Sequence, residues 1–501
     1  MRVARLGLVS LGLAVLALGT SAHLGSPDTW FEGQAGPYPV QVVIRLPGVI
    51  PGLGQIDVTV VGGNAERVTA QPIRFDTGRD GAPPPDVATP VPGRPDTYHA
   101  ALWFMRQGSY SVAIEVSGAR GSGSVLVPVT AVAERQLALS PWLGGLLGLL
   151  GVLLFAGALS VFWAAATDGV TPPGEDALPF RRRAGVVSTG FGAALLGLAL
   201  FGANRWWDAV ENRYRAGLYR PFRAAAAVDT VGVGRTLLFT IADSVWVNSR
   251  GFRNPLLPDH GKLMHLFMIE RGDSGAPGTG FAHLHPASID SLQFVAALAG
   301  LRGGRYDVYA DVVHENGFPQ TLVAGVDVPP PMAGDLDRYT DIDDVVAAVE
   351  PAETAFTLPD GAVVTWEGRP ESPRAGEPAR LDFSVHEPGG ELAHLEPYLG
   401  MAGHAVVQRD DGQVYIHLHP NGTISTVAQA ALGARLRTDT LPGMVAKRLA
   451  DSAGAAHVMH PSFEGRLSFP YAFPEPGAYR IWIQFKRGSQ IFTAAFRTAV
   501  R

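Results

Sequence analysis

Cysteine is absent from all 501 residues. That absence removes disulfides, thiolate metal sites, iron–sulfur clusters and cysteine nucleophiles together. Any metal would have to be held by His, Met, Asp or Glu. Charge is also scarce, at 17% of the chain, against about 25% in an ordinary soluble domain. A net charge of −6 and a pI near 6.2 supply no basic field for phosphates, which excludes a nucleic-acid partner. The sequence also lacks a Gly-x-Ser-x-Gly elbow, a P-loop and a His-Glu-x-x-His helix, the compact signatures of common catalytic sites. No carboxylate sits at a telling spacing, so neither catalysis nor a small organic substrate is expected.

What is present is apolar and rich in turns: 47% hydrophobic residues, 60 Gly and 39 Pro. The length alone suggests roughly three or four domains. Arg2 and Arg5 precede an apolar run from Leu6 to Leu18 and a small-residue stretch to Ala22, the layout of a secretory signal at 1–22. Cleavage there would make His23 the first residue; the alternative is an uncleaved anchor. Two longer runs, 142–166 and 186–207, suit a transmembrane hairpin within 141–207. The loop between them ends in Arg181, Arg182 and Arg183, which the positive-inside rule places in the cytoplasm. More arginines flank the far end of the second run, from Arg205 to Arg223, interleaved with Trp206, Trp207, Tyr214 and Tyr219. That stretch, 208–227, reads as an interfacial segment. The expected location is the cytoplasmic membrane, multi-pass, with the other domains facing the periplasm or exterior.

Those domains read as strands. Short β-branched runs separated by Gly, Pro and Asp fill 23–136, and the spacing favours an Ig-like sandwich. The same grammar returns twice, at 228–328 and 353–501, across a linker at 329–352. Each copy has a strand with one His, then a strand reading aromatic-x-His-Leu-His-Pro, and later a Gly-x-Tyr strand, an internal repeat. The second copy carries an insertion, 421–466, with helix-like stretches. The expected fold class is therefore mainly β: three Ig-like β-sandwiches, a two-helix membrane hairpin and an N-terminal signal segment.

Of the 14 histidines, 12 lie beyond residue 259. In a His-Leu-His strand both imidazoles project from one face, because side chains alternate with period 2. A paired neighbouring strand brings a third within one cross-strand step. Two triads follow: His265, His283 and His285, then His404, His417 and His419. Three neutral imidazoles with an open position suit Cu²⁺ or Zn²⁺, and thioethers of Met264, Met268 and Met401 would favour copper if they faced the site. The other reading is that these are polar surface residues kept by duplication. His260, His314, His386, His394, His457 and His460 offer extra ligands or partners that orient the ligating rings, although each taken individually reads as ordinary surface. His23, as a mature N-terminus, would offer an amine and a ring nitrogen to a separate copper ion.

Two motifs carry a resemblance. Ala35-Gly36-Pro37-Tyr38-Pro39-Val40 with Gly108-x-Tyr110-x-Val112, and the segment from His394 through Pro397-Tyr398-Leu399-Gly400 and His404 to His417-Leu418-His419-Pro420, resemble the FixH-like and YtkA-like exported β-sandwich proteins. The first repeat matches that pattern less well, with Pro258 to His265 in the corresponding place. The resemblance implies a periplasmic sandwich associated with metal handling or oxidase assembly. The expected function is a membrane-anchored periplasmic metal-binding protein, for copper or else zinc, acting in binding, buffering or delivery. The alternative is a non-metal interaction or assembly module for a membrane respiratory or transport complex.

Overall fold

The computed structural model describes residues 23–24, 28–172, 174–230, 234–243, 255–272, 275–332, 335, 339–453 and 463–501. The expected signal at 1–22, as well as His457 and His460, lies outside the described residues. The chain is mainly β, with three two-sheet sandwiches and two long apolar helices.

Alternation builds each sandwich. In strand Tyr38–Arg45, Tyr38, Val40, Val42 and Ile44 are buried and the residues between them are half-exposed. The first sandwich stacks a sheet carrying Asp28–Ala35, Tyr38–Arg45, Gly52–Val60 and Thr97–Phe104 on one built from Gly121–Ala131, Gly108–Gly118 and Ala65–Arg74. All three sandwiches share one device: after a Gly, the Gly-x-Tyr tyrosine turns its hydroxyl back to donate to a carbonyl four residues earlier. Tyr110 reaches Arg106 at 2.9 Å, Tyr306 reaches Arg302 at 3.1 Å and Tyr479 reaches Glu475 at 2.7 Å. This corner is a recurring lock of Ig-like sandwiches.

The helices α1 (Pro141–Ala166) and α2 (Pro179–Ala216) have mean hydropathies of 2.3 and 1.8 over their most apolar windows and bury almost none of that surface in the protein. An apolar surface of that length is compatible with hydrocarbon and not with water, so the chain is membrane-associated. The C-terminal end of α2 and the residues after it are tied to the first sandwich and to the segment that leads from it into α1: the Tyr214 hydroxyl donates to the Arg135 carbonyl, Gln107 Nε2 to the Gly217 carbonyl, and Tyr219 N–H to the Ala133 carbonyl. All three sandwiches therefore lie beyond one end of the hairpin, and the 167–178 turn lies at the other.

Element bounds differ from the sequence reading in four places. Helix α2 starts at Pro179, not 186, because proline suits a first helical turn, so Arg181 to Arg183 are helical. It then continues past Trp207 to Ala216, since nothing stops it before Gly217. At ~57 Å by its length it exceeds the thickness of a ~30 Å hydrocarbon core. The expected interfacial segment at 208–227 is thus helix followed by strand Ala224–Asp229, which already belongs to the second sandwich. The 329–352 linker also contributes structure: Val345–Ala348 pairs with the open edge of Pro277–Leu284.

The insertion at 421–466 holds helices α3 (Thr426–Ala434) and α4 (Met444–Ala453) before strand Arg466–Tyr471 begins. It joins the sandwiches to one another. Ile424 enters the first sandwich's core, and Thr423 N–H donates to the Trp30 carbonyl at 3.0 Å. Ala428 and Ala431 pack with Phe75, Leu257, Val313 and Val445. The buried carboxylate of Glu315, from the second sandwich, accepts from Gly443, Val445 and Ala446 N–H at 2.6, 2.8 and 3.0 Å. A negative group there satisfies donors that a helix start leaves free and meets the positive end of its dipole. Hydrogen bonds to a charged group contribute about 1.5–3 kcal/mol. Glu315→Ala should therefore speed amide exchange at 443–446 by on the order of 10–100-fold; unchanged protection there would refute the capping role.

Candidate metal centre

The second and third sandwiches meet face to face. In strand His265–Arg271, Leu266 and Met268 point into their own core while His265, Phe267 and Ile269 point outward, yet all five are buried. The same double burial holds for Phe281 to Leu284 and for His404 to Gln408. The explanation is a shared apolar seam: Phe267, Ile269, Phe281 and Tyr309 pack against Val406, Tyr415, Trp482 and Ala495. Phe281 stacks on Trp482 at 5.2 Å, and Tyr309 on Tyr415 at 4.0 Å with rings parallel to 1°.

The histidines sit at one end of that seam. Strands His265–Arg271 and Pro277–Leu284 pair antiparallel with Leu266 opposite Leu284, so His265 falls beside His285. In the other copy Ala405 lies opposite Leu418, which sets His404 beside His419. Seven rings gather: His260, His265, His283, His285, His404, His417 and His419. His265, His283, His285, His404 and His419 are buried, and the side chains of His260 and His417 are 8% and 6% exposed.

Two triads of converging nitrogens emerge, each with ligand atoms within 4.8 Å of one another: His265, His283 and His285, and His260, His404 and His419. The first is the triad expected from the sequence. In the second, His260 stands where His417 was expected. His417 lies between the triads, its ring 5.5 and 5.8 Å from His265 and His283 and 5.3 and 4.6 Å from His404 and His419. The backbone of His23 pairs in parallel with Val414 of the third sandwich, and its ring lies outside the described side chains. Met264 and Met268 face the second sandwich's core, so the thioether argument for copper falls away for both. Strand alternation is the reason: the thioethers take the face opposite His265.

Sequence reasoning also missed the residues that hold the rings. In the first triad every outer nitrogen meets an oxygen acceptor. His265 Nε2 is 3.1 Å from the Asp259 carbonyl, His283 Nδ1 is 2.8 Å from Gln484 Oε1, and His285 Nδ1 is 3.0 Å from Asp344 Oδ1. Tyr398 donates its hydroxyl to the Asp343 carbonyl at 3.1 Å, so its oxygen also faces His283 Nδ1 as an acceptor at 3.2 Å. Carbonyl, amide and carboxylate oxygens only accept, so each outer nitrogen carries the hydrogen and each inner one a lone pair. His265 Nδ1 and His283 Nε2 are then two lone pairs 3.1 Å apart, and His285 Nε2 is buried without a partner. In the second group His419 Nδ1 donates to the Ile424 carbonyl at 3.0 Å, and His417 Nδ1 lies 3.5 Å from Asp311. His404 has two buried nitrogens without partners, and Nε2 of His417 and of His419 is likewise orphaned. The Asp341 to Asp344 acidic run was a visible signal, as was the turn-forming Pro258-Asp259-His260-Gly261, with His260 five residues before His265, where the structure places His260 at φ +52°.

Burial sets the electrostatics. Desolvation, helped by His285, pulls His265 down to about 3, and desolvation with His260 beside it pulls His419 to about 4. Burial first and neighbouring rings second hold His283, His404 and His417 well below the usual imidazole value. Burial pushes Asp311 up to about 7. These five rings, His265, His283, His404, His417 and His419, are neutral and available as ligands at neutral pH. Outside this site, His314 is buried against Gln320 and His386 Nδ1 donates to the Gly390 carbonyl at 3.0 Å; neither joins the cluster.

Comparison with known proteins adds little. The model of a family described as "Domain of unknown function (DUF8832)" matches residues 356–501, the third sandwich with His404, His417 and His419. No curated protein matches. Among solved structures, a presumptive membrane anchored protein from Corynebacterium diphtheriae aligns at 9% identity over 94% of this chain and 95% of its own, with a TM-score of 0.15. Trypsin activated alpha-2-macroglobulin from Escherichia coli aligns at 10% identity and TM-score 0.17, over 95% of this chain but 24% of its own length. An endo-fucoidan hydrolase of glycoside hydrolase family 107 aligns at 9% identity and 0.16, over 91% and 42%. Likeness at that level carries no weight for the fold or the site.

The depressed imidazoles make a pH prediction for the metal-free protein. An unfolded histidine titrates near 6.5, so between that value and the folded values of about 4 and 3 the unfolded chain binds more protons. Stability is then fully present above about pH 6.5 and is lost as pH falls, by about 1.4 kcal/mol per pH unit for each such ring. Asp311 works in the opposite sense between its ordinary 3.8 and about 7, one group against five. The thermal midpoint should fall steeply from pH 6.5 to 4; a flat profile would mean the rings are not buried as neutral groups.

Proposed function

We propose that this chain is a membrane-anchored metal-binding protein, its sandwiches on the periplasmic or outer side, that takes Cu²⁺ or Zn²⁺ into the histidine cluster for buffering or delivery. The observation that carries the reading is the first triad's hydrogen-bond pattern. Three outer nitrogens are fixed by oxygen acceptors, and two inner lone pairs face each other 3.1 Å apart. Such lone pairs repel unless a cation accepts both, and ligands ~2.0–2.1 Å from a tetrahedral ion lie about that far apart. An imidazole whose other nitrogen donates to a carbonyl or carboxylate is the usual arrangement of metal-bound histidine.

The donor set narrows the ion. Neutral imidazoles without thiolate suit Zn²⁺ and Cu²⁺, and the order of divalent affinities favours copper over zinc at the same site. His260 and His417, which keep some exposure, mark the route by which an ion would reach the buried rings. The outside placement is supported by the signal-like segment and by arginines 181–183, which stand at the hairpin end opposite the sandwiches.

Titration of the detergent-purified chain with Zn²⁺ and Cu²⁺ tests the reading. A ligand that binds only the folded state stabilises it by about 2.7 kcal/mol at a hundredfold excess over Kd, so the thermal midpoint should rise. Gln484→Leu removes the oxygen that orients His283 and should weaken affinity about 10–100-fold. If neither ion binds or shifts the midpoint, the interaction-module reading takes its place.

A further inference from the structure

We infer that the cluster takes two ions, one in each triad, so that the seam between the second and third sandwiches is clamped by a dinuclear centre. The inference rests on the metal-binding reading above and goes beyond it in stoichiometry and in what the ions join. Its basis is geometric. The second group of nitrogens, from His260, His404 and His419, converges within 4.8 Å without borrowing any ring from the first triad. Four buried nitrogens on its side have no partner: both of His404 and Nε2 of His417 and His419. Unpaired buried polar atoms are destabilising, so four of them on three adjacent rings mark a place that a cation would satisfy.

Two rings of this second group, His419 and His260, are also oriented from outside. The Ile424 carbonyl fixes His419 with its lone pair inward. Thr426 donates its hydroxyl to Asp259 Oδ1 at 3.0 Å, which leaves the threonine oxygen to accept from His260 Nε2 at 3.4 Å and turns His260 Nδ1 into the free nitrogen. His404 has no such outer partner, which makes the second triad the less firmly built of the two. Asp259 serves both groups, its carbonyl holding His265 and its carboxylate standing beside His260.

The second triad does not follow the duplication. His260 comes from the second sandwich, yet it joins His404 and His419 of the third. His417, from the third, stands within ring-contact range of His265 and His283 of the second. An ion in the second triad therefore binds both sandwiches at once, and one in the first lies against a ring of the opposite copy. Cu²⁺ or Zn²⁺ suits each position, since every candidate ligand is an imidazole.

The test is stoichiometry on the full chain in detergent, stripped with chelator and reloaded with Zn²⁺, with bound metal measured per chain after gel filtration. Two zinc ions per chain are expected. His283→Ala should retain one, held by the second triad, and the double variant His404→Ala with His419→Ala should retain one, held by the first. Should the double variant fold poorly, His260→Gln at the partly exposed edge should also drop the count from two to one without disturbing the seam. One ion per wild-type chain would overturn the dinuclear centre and leave metal binding standing; no bound zinc and no bound copper would remove both. Loss of both ions on His260→Gln would show a single shared site and would equally overturn the inference.

Discussion

The burial of both faces of a few strands is the constraint on which the rest depends. A sandwich ordinarily hides one face of each sheet and leaves the other to water. Here the outward faces of His265–Arg271, Pro277–Leu284, His404–Arg409 and Gly477–Arg487 are covered by the neighbouring sandwich. Phe267, Phe281, Tyr415 and Trp482 supply the apolar area that holds the two together. Once the seam closes, polar residues on the same strand faces are taken out of water with it. Seven imidazoles in that position must be satisfied by one another, by acceptors, or by a cation.

The surroundings meet that demand unevenly, and the unevenness is informative. Around the first triad the linker delivers Asp344 to His285 and the Asp343 carbonyl to Tyr398, and the third sandwich sends Gln484 across to His283. The linker is itself anchored, with Lys262 paired to Asp341 and Asp343 and the buried Arg235 guanidinium bonded to Asp335 and three backbone carbonyls. The second group has fewer such supports. A preorganised triad beside a looser one is a gradient of rigidity within a single cluster.

The membrane hairpin and the cluster belong to one mechanical body. Tyr214 and Leu218, at the end of α2, pack against the first sandwich, and the insertion fastens that sandwich to the other two through Ile424, Gln429 and the α3–α4 pair. The site therefore stands on a scaffold joined to the two apolar helices rather than on a free arm.

Much of this was legible in the residues alone. Alternating apolar positions, the Gly-x-Tyr corners and the repeated His-Leu-His-Pro strands specify three sandwiches and two His-bearing hairpins, because period-2 alternation and cross-strand pairing act locally. The hydrophobic runs likewise specify two long apolar helices. What no local pattern could decide was which sheet face meets which. A strand with apolar and imidazole side chains on its outer face reads the same whether it faces water or another domain. Only the packing of Phe281 on Trp482 and Tyr309 on Tyr415 brought the two copies' histidines into one cluster. The same packing moved His260 into the second triad and set His417 between the two. It also assigned Gln484, Asp344 and the Asp259 carbonyl to individual rings, since contacts between residues up to two hundred positions apart arise from the docking of whole sheets and leave no periodic trace in the chain.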